Sequence, residues 1–507
     1  MTQEQSPTAV EPHPDAQHGV KPWPALIALC IGFFMILVDT TIVTVATPAI
    51  IEDLDASVNA VIWVTSAYLL AYAVPVLITG RLGDRYGPKN LYLIGLTLFT
   101  AASLWCGLTG TVEMLIIARV FQGFGAAMMT PQTMAVITRI FAAERRGQAM
   151  ALWGATAGVA TLVGPILGGI LVDIAGWEWI FFINVPVGIV AFVMAWRLVP
   201  KLSTHSHRFD WLGVALSGTG MFFLVFGIQQ GHQYDWNSWV ITSIVGGLVV
   251  LGLFLYWQSK NTAEPLVPLR LFGDRNFSVS NVAISTMSFS ATSMGFPLML
   301  WAQLVRGLSP TNSALLMVPM AVMSIVMAPI VGRFTDRVHP RLLCGAGFAV
   351  TAISLFWLAS VLEANVDYWQ IMIPMAVLGI GMSGIWAPLA ATATRNLPMD
   401  LAGAGAGVYN ATRQVGAVLG SAAIAVLIDA RLAAELPGMT AGSPEAGGGK
   451  LPAALHVPFS TAMSQSMLLP AAMMVVGFVA VMFFVTPRHM VRAEQPAPVS
   501  DGVQVTA

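Results

Sequence analysis

Long apolar runs separated by short polar breaks fill almost the whole chain. A helix needs about 20 apolar residues to cross the hydrocarbon core of a bilayer. Runs of that length fall at roughly 24–48, 59–79, 91–108, 113–136, 147–172, 180–199, 211–230, 238–258, 277–303, 311–331, 341–361, 369–392, 402–428 and 459–485. The pattern predicts an all-α integral membrane protein with 14 transmembrane helices. Most connections are short; the longest, around 429–458, is rich in Gly, Pro and Ala. An even number of spans puts both termini on one side of the membrane.

Lys and Arg choose that side, because basic residues accumulate in cytoplasmic loops. With the N-terminus inside, 19 of the 24 basic residues face the cytoplasm, three (Arg306, Arg431, Lys450) face outward, and Arg119 and Arg413 lie within spans. Both termini are therefore expected in the cytoplasm of a multi-pass protein of the cell membrane.

One of the polar breaks occurs twice. Gly80-Arg81-Leu82-Gly83-Asp84-Arg85-Tyr86-Gly87-Pro88-Lys89 returns as Gly332-Arg333-Phe334-Thr335-Asp336-Arg337-Val338-His339-Pro340-Arg341, with Gly, Arg, Asp, Arg and Pro in register and a basic tenth residue. The copies follow predicted spans 2 and 10. The chain thus divides into a polar tail (1–23), a six-helix half (24–200), two inserted helices with their linkers (201–276), a second six-helix half (277–485) and a C-terminal tail (486–507). Two pseudo-symmetric halves around a central site describe a transporter working by alternating access.

Composition removes other classes. The chain is 56% hydrophobic and 10% charged with a net charge of −1, so no nucleic-acid partner is expected. Cys30, Cys106 and Cys344 lie in apolar runs, and all eight histidines lie in tails or loops. No span offers an imidazole, no Cys/His spacing suits a metal, and no cofactor is expected. Without an intramembrane nucleophile–base pair the chain does not read as an enzyme. No phosphate-cradling G-x-x-x-x-G-K-[ST] run is present, which argues against a primary pump.

Ionisable groups inside a bilayer are costly, and those retained mark function. Asp39 is the sole carboxylate deep in any predicted span. At ~1.5 Å per residue it lies about 12 Å below the outer surface and Arg119 about 10 Å below it. If spans 1 and 4 are neighbours the two can pair. We expect Asp39 to be the proton-coupling residue, tuned by Arg119; the alternative is a static ion pair that only orients two helices. Arg413, near mid-membrane beside Gln414 and one turn after Tyr409 and Asn410, fits substrate binding and a structural polar network equally.

Further motifs carry a family resemblance. Gly154, Gly158, Gly164, Pro165, Gly168 and Gly169 punctuate span 5, a spacing that also serves ordinary close helix packing. Leu37-Val38-Asp39-Thr40-Thr41 in span 1, Arg119-Val120-Phe121-Gln122-Gly123 in span 4, and Trp177-Glu178-Trp179 followed by Asn184, Pro186 and Gly188 complete the set. Together with the Gly80–Asn90 segment, these resemble the major facilitator superfamily, in particular its fourteen-helix drug/proton antiporter branch of the EmrB/QacA type. The resemblance covers about residues 24–430. It implies that Asp84, Arg85 and Lys89, with Gly80 and the second-copy Asp336 and Arg337, form a conformational hinge that latches the halves together. It implies proton transfer near Arg119, and export rather than uptake from the span 5 glycines. Pro88, Asn90, Glu178 and Thr47 depart from the branch's usual residues.

The pocket is expected to hold a small lipophilic molecule, cations included. Asp39, Gln122, Trp153, Trp301, Trp386 and Arg413 are the candidate substrate contacts, the tryptophans by stacking on aromatic cations. Methionine is plentiful, with 18 of 27 after residue 276, and flexible thioethers suit a promiscuous pocket as well as gap-filling. The function read from the sequence is a proton-coupled multidrug efflux transporter. The alternative is export of a single metabolite or antibiotic by the same proton antiport. Protons, the substrate and the bilayer are its expected partners.

Overall fold

The computed structural model describes residues 21–486 apart from 57, 143–144, 205–209, 232–233, 235, 262–264, 399–400 and 437–450, so both predicted tails fall almost wholly outside it. Apolar sequence with few breaks gives long helices. The first half contains α1 (Pro22–Asp53), α2 (Val58–Ala73), α3 (Val76–Tyr86), α4 (Pro88–Gly107), α5 (Val112–Ile140), α6 (Arg146–Ala175), α7 (Trp179–Phe182) and α8 (Asn184–Leu198). Next come α9 (Trp211–Gln230) and α10 (Ser238–Lys260). The second half contains α11 (Arg275–Ser293), α12 (Gly295–Leu300), α13 (Pro310–Leu315), α14 (Val318–Thr335), α15 (Pro340–Val361), α16 (Tyr368–Arg395), α17 (Ala402–Glu435), α18 (His456–Ser466) and α19 (Leu468–Val481), with a π turn over Trp301–Val305.

Among the described residues 11 helices are long and apolar enough to cross a membrane, or 12 if the bent pair Trp63–Ala73 and Val76–Tyr86 is one span. The expected count of 14 is therefore not reached. The two predicted spans outside this set, in α6 and α11, are also helical. Serines 278, 280, 285, 288, 290 and 293 and Asn276 and Asn281 dilute α11, and in α6 only Ile166–Ala175 qualifies as a short apolar helix.

A correction concerns the repeated decapeptide. The sequence reads as a polar hinge between spans, but Gly80–Tyr86 continues the helix as the last turns of α3. The helix survives its own charges because Arg81 and Asp84 are buried against protein rather than exposed to lipid. The kink comes earlier, a 46° bend at Val74 and Pro75, where proline removes a backbone donor. The chain reverses at Gly87, whose φ of +89° suits glycine, and Pro88 opens α4. The second copy closes α14, with Asp336 as its C-cap and Pro340 opening α15.

In the first half α1 packs on α6 and α8, and α5 on α2 and α4; in the second α16 packs on α14 and α15, and α11 on α17 and α19. Glycine lets backbones approach: a Cβ on Gly95 would meet Gly125 O of α5 at 2.8 Å, and one on Gly347 would meet Gly384 O of α16 at 2.9 Å. The halves meet where α6 contacts α14 and α16, and where α17 contacts α3 and α5. Helices α9 and α10 pack mainly on each other and touch both halves at α2, α3 and α17.

Candidate functional site

Asp39 and Arg119, placed at one depth from the sequence, are in contact. Arg119 Nη1 donates to Asp39 Oδ2 at 2.5 Å, and both side chains are wholly buried. The other carboxylate oxygen, Oδ1, accepts from Gln122 Nε2 at 2.8 Å and from Asn184 Nδ2 at 3.2 Å. Ser103 Oγ accepts from the same two amides at 2.6 and 3.1 Å, and Arg119 Nη1 also donates to Gln122 Oε1 at 2.6 Å. Arg119 Nε donates to Val64 O at 3.2 Å, and its guanidinium lies 4.0 Å from the Tyr68 ring centroid. Five helices of the first half, α1, α2, α4, α5 and α8, thus converge on one carboxylate. Every partner of Asp39 is a donor, so the network is built for the ionised acid. Asn184 carried a signal in the Trp177–Gly188 motif. Ser103 and Tyr68 carried none.

A second constellation joins the halves. Asp84 accepts from the backbone N–H groups of Gly403 (3.0 Å) and Ala404 (2.9 Å), the first turn of α17, and from Arg139 Nη2 at 2.8 Å. Asp336 repeats this on the other side. It accepts from the Gly147 N–H at 2.9 Å, in the first turn of α6, and from Arg395 Nη2 at 2.7 Å. Each carboxylate sits on the positive end of a helix from the opposite half, and each is also held by the arginine that ends α5 or α16. The close approach explains Gly80, since a Cβ there would meet Gly403 O at 2.6 Å and Gly407 Cα at 2.8 Å. Burial pushes the Asp336 carboxyl above the usual range despite Arg395 and the Gly147 N–H pulling it down.

Lys89, expected in the latch, stays within its own half: Nζ donates to Trp196 O and Val199 O at 2.6 Å each, closing the end of α8. Arg341, tenth residue of the second copy, does the same after α19, donating from Nη2 to Phe484 O at 2.9 Å. Arg85 is half-buried near the Tyr86 ring, and Arg337 is exposed.

Between the halves lies a cavity of about 280 Å³, lined by α1, α6, α11, α14 and α16 together with Met294 and Met317. Gly154 and Gly158 form part of its wall. Gly164 and Gly168 instead hold α6 against α1: a Cβ on Gly164 would collide with Thr41 Oγ1, and one on Gly168 would meet Ile42 Cγ1 at 2.7 Å. Gly169 faces Thr311, and the Pro165 side chain lies outside the described residues. Of the six candidate substrate contacts, Trp386 lines the cavity. Asp39 and Gln122 belong to the buried network. Trp153 stacks on Phe33 at 4.8 Å, and Trp301 is enclosed with Arg306 over its ring at 5.7 Å. Arg413 reaches across the halves, Nη2 donating to Tyr72 OH at 3.2 Å, which in turn lies 2.9 Å from Thr130 Oγ1.

Comparison with known proteins places this geometry. An uncharacterized MFS-type transporter of Mycobacterium tuberculosis is 51% identical over 500 residues, 98% of this chain and 86% of that protein. The tetracenomycin C resistance and export protein of Streptomyces glaucescens is 34% identical over 421 residues, 82% of this chain and 78% of its own length. The multidrug export protein EmrB of Haemophilus influenzae is 32% identical over 402 residues, covering 78% of each chain. Among solved structures, the proton:xylose symporter XylE shares the fold, with a TM-score of 0.63 at 12% identity over 90% of this chain and 94% of that one. The Major Facilitator Superfamily profile matches residues 29–421, and this multi-span membrane protein belongs to that family.

Proposed function

We propose that the protein is a proton-coupled exporter of lipophilic compounds, carrying its substrate outward by alternating access while protons enter through Asp39. The observation that carries this reading is the Asp39 network, three donor groups around one buried carboxylate. Protonation turns one carboxyl oxygen into a donor facing donors, so the hydrogen bonds of α5 and α8 to α1 must rearrange. Thr40 and Thr41, the next residues of α1, line the substrate cavity, so the rearrangement reaches bound substrate through a single helix. The names of relatives such as the tetracenomycin C and EmrB export proteins support export. In this reading the chain makes 14 passes as two six-helix halves, 24–200 and 277–485, with 201–276 between them. The basic decapeptides and both termini face the cytoplasm, and the Asp84 and Asp336 latches close that end.

A second reading, export of one antibiotic, is favoured by relatives named for single compounds, tetracenomycin C and cephamycin among them. A substrate panel on inverted vesicles separates the two. The proton reading is tested by dye flux in proteoliposomes under an imposed pH gradient. Asp39→Asn should abolish gradient-driven flux while leaving folded protein in the membrane; unchanged pH-dependent transport by that variant refutes the role.

A further inference from the structure

We infer that the substrate of this exporter is uncharged: a neutral, flat, largely apolar molecule. The inference rests on the cavity between the halves being the transport site. Among the described residues lining it, none is ionisable. Its wall is Ala and Gly on α6, the thioethers of Met294, Met317, Met320 and Met382, the Trp386 indole, and five hydroxyls.

Those hydroxyls are already engaged as donors. Thr40 Oγ1 donates to Ile36 O at 2.8 Å, Thr41 Oγ1 to Val38 O at 3.1 Å, Thr292 Oγ1 to Ser288 O at 2.9 Å, Ser324 Oγ to Gly379 O at 3.0 Å and Ser383 Oγ to Ile380 O at 2.6 Å. With their hydrogens so committed, these hydroxyls offer an anion no donor. A cation meets acceptors but no counter-charge. Asp39, the carboxylate nearest in sequence to the wall, is wholly buried inside the first half and held by Arg119 at 2.5 Å. Bringing an unpaired ion into such a space is costly, whereas a neutral aromatic ring gains contact with Trp386 and the four methionines. Charge recognition and substrate recognition are therefore segregated: the charge sits in the core of one half and the cargo between the two. Exchange of a neutral cargo for protons then moves net charge across the membrane.

Three probes share one aromatic rod and differ in charge: diphenylhexatriene, its trimethylammonium derivative and its propionate. Their binding to the full-length protein in nanodiscs, read as thermal stabilisation above empty-disc partitioning, should favour the neutral probe over both ions by at least about tenfold, or ~1.4 kcal/mol. Ala155→Glu, which places a carboxylate in the wall, should reverse the order in favour of the cation. Equal or tighter binding of the trimethylammonium probe by the native protein overturns the inference, as does an Ala155→Glu variant that still prefers the neutral rod. The same probes are then applied as concentration jumps to proteoliposomes on a supported membrane at equal pH. A current evoked by the neutral probe supports neutral-for-proton exchange. Neutral preference in binding with no current from any probe leaves the charge selectivity standing and rejects proton coupling instead.

Discussion

Asp84 with Arg139 in the first half and Asp336 with Arg395 in the second close the same end of the molecule by one design, a carboxylate on the first turn of a helix from the opposite half. The cores behind them differ. Where the first half buries Asp39 among α1, α2, α4, α5 and α8, the repeat places Ala291 at the corresponding point of α11, counting 252 residues on as between the two decapeptides, and Ala291 lines the cavity. The duplicated feature is the one that ties the halves to each other. The feature present once is the Asp39–Arg119 pair in the core of one half, charge that is costly to keep in lipid. Symmetry is kept at the contact between the halves and discarded in the core behind it.

This contrast can be broken at several points. The largest effect is expected from Arg119→Leu, which strands Asp39 as a buried charge and should destabilise the folded protein by about 3–5 kcal/mol, read as a collapse of the melting temperature in detergent. Adding Asp39→Leu should recover most of that stability while transport stays abolished. If the double variant transports under a pH gradient, the pair is only a structural tie. Next come the latches. Asp84→Ala removes a group with two backbone donors and a buried arginine, and should shift the closed–open balance by about 3 kcal/mol, seen as a longer distance between spin labels on the C-terminal end of α3 and the N-terminal end of α17. Asp336→Ala should shift it by about half as much, since Asp336 Oδ2 has no hydrogen-bond partner and the carboxyl is less deeply enclosed. Equal shifts would mean that the halves do not differ at this end.

Smaller again is the glycine pair. Gly80→Ala meets rigid α17 backbone, whereas Gly332→Ala meets the Ala151 side chain at 2.8 Å, so the first should open the latch more than the second in the same distance measurement. The smallest effect concerns the inserted pair. Burial alone would raise the Asp210 carboxyl, but donors from Gln258, Trp257 and the backbone of Gly213 and Leu266 hold it below the usual range. A depressed carboxylate contributes stability above its unfolded pKa of about 3.9, and that contribution is lost as pH falls through the lower folded value. Protection of α10 amides relative to their intrinsic exchange rates should therefore fall on acidification below about pH 4, and Asp210→Asn should show the lowered protection at neutral pH.

Much of this was legible in the sequence because lipid enforces simple rules. Run length located the helices, and a rise of ~1.5 Å per residue put Asp39 and Arg119 at one depth before any contact was known. What stayed hidden has physical causes. The donors to Asp84 and Asp336 are backbone N–H groups of Gly403, Ala404 and Gly147, and backbone has no side-chain signature. Ser103 joins the Asp39 network as one serine in an apolar helix, indistinguishable there from a packing residue. The decapeptide reads as a polar hinge because hydrophobicity stops at Gly80, although the helix does not; its charges find protein partners and the backbone has no reason to unwind. Trp153 and Trp301 are large aromatics, yet both are buried and neither lines the cavity.

The elbow at Val74 and Pro75 has a mechanical consequence. Its outer arm, α2, touches the guanidinium through Val64 and Tyr68; its inner arm, α3, ends in the aspartate gripping α17. The buried pair and the clasp are thus joined by a single bent lever, and a shift of the outer arm need not propagate through the bundle to be felt at the clasp.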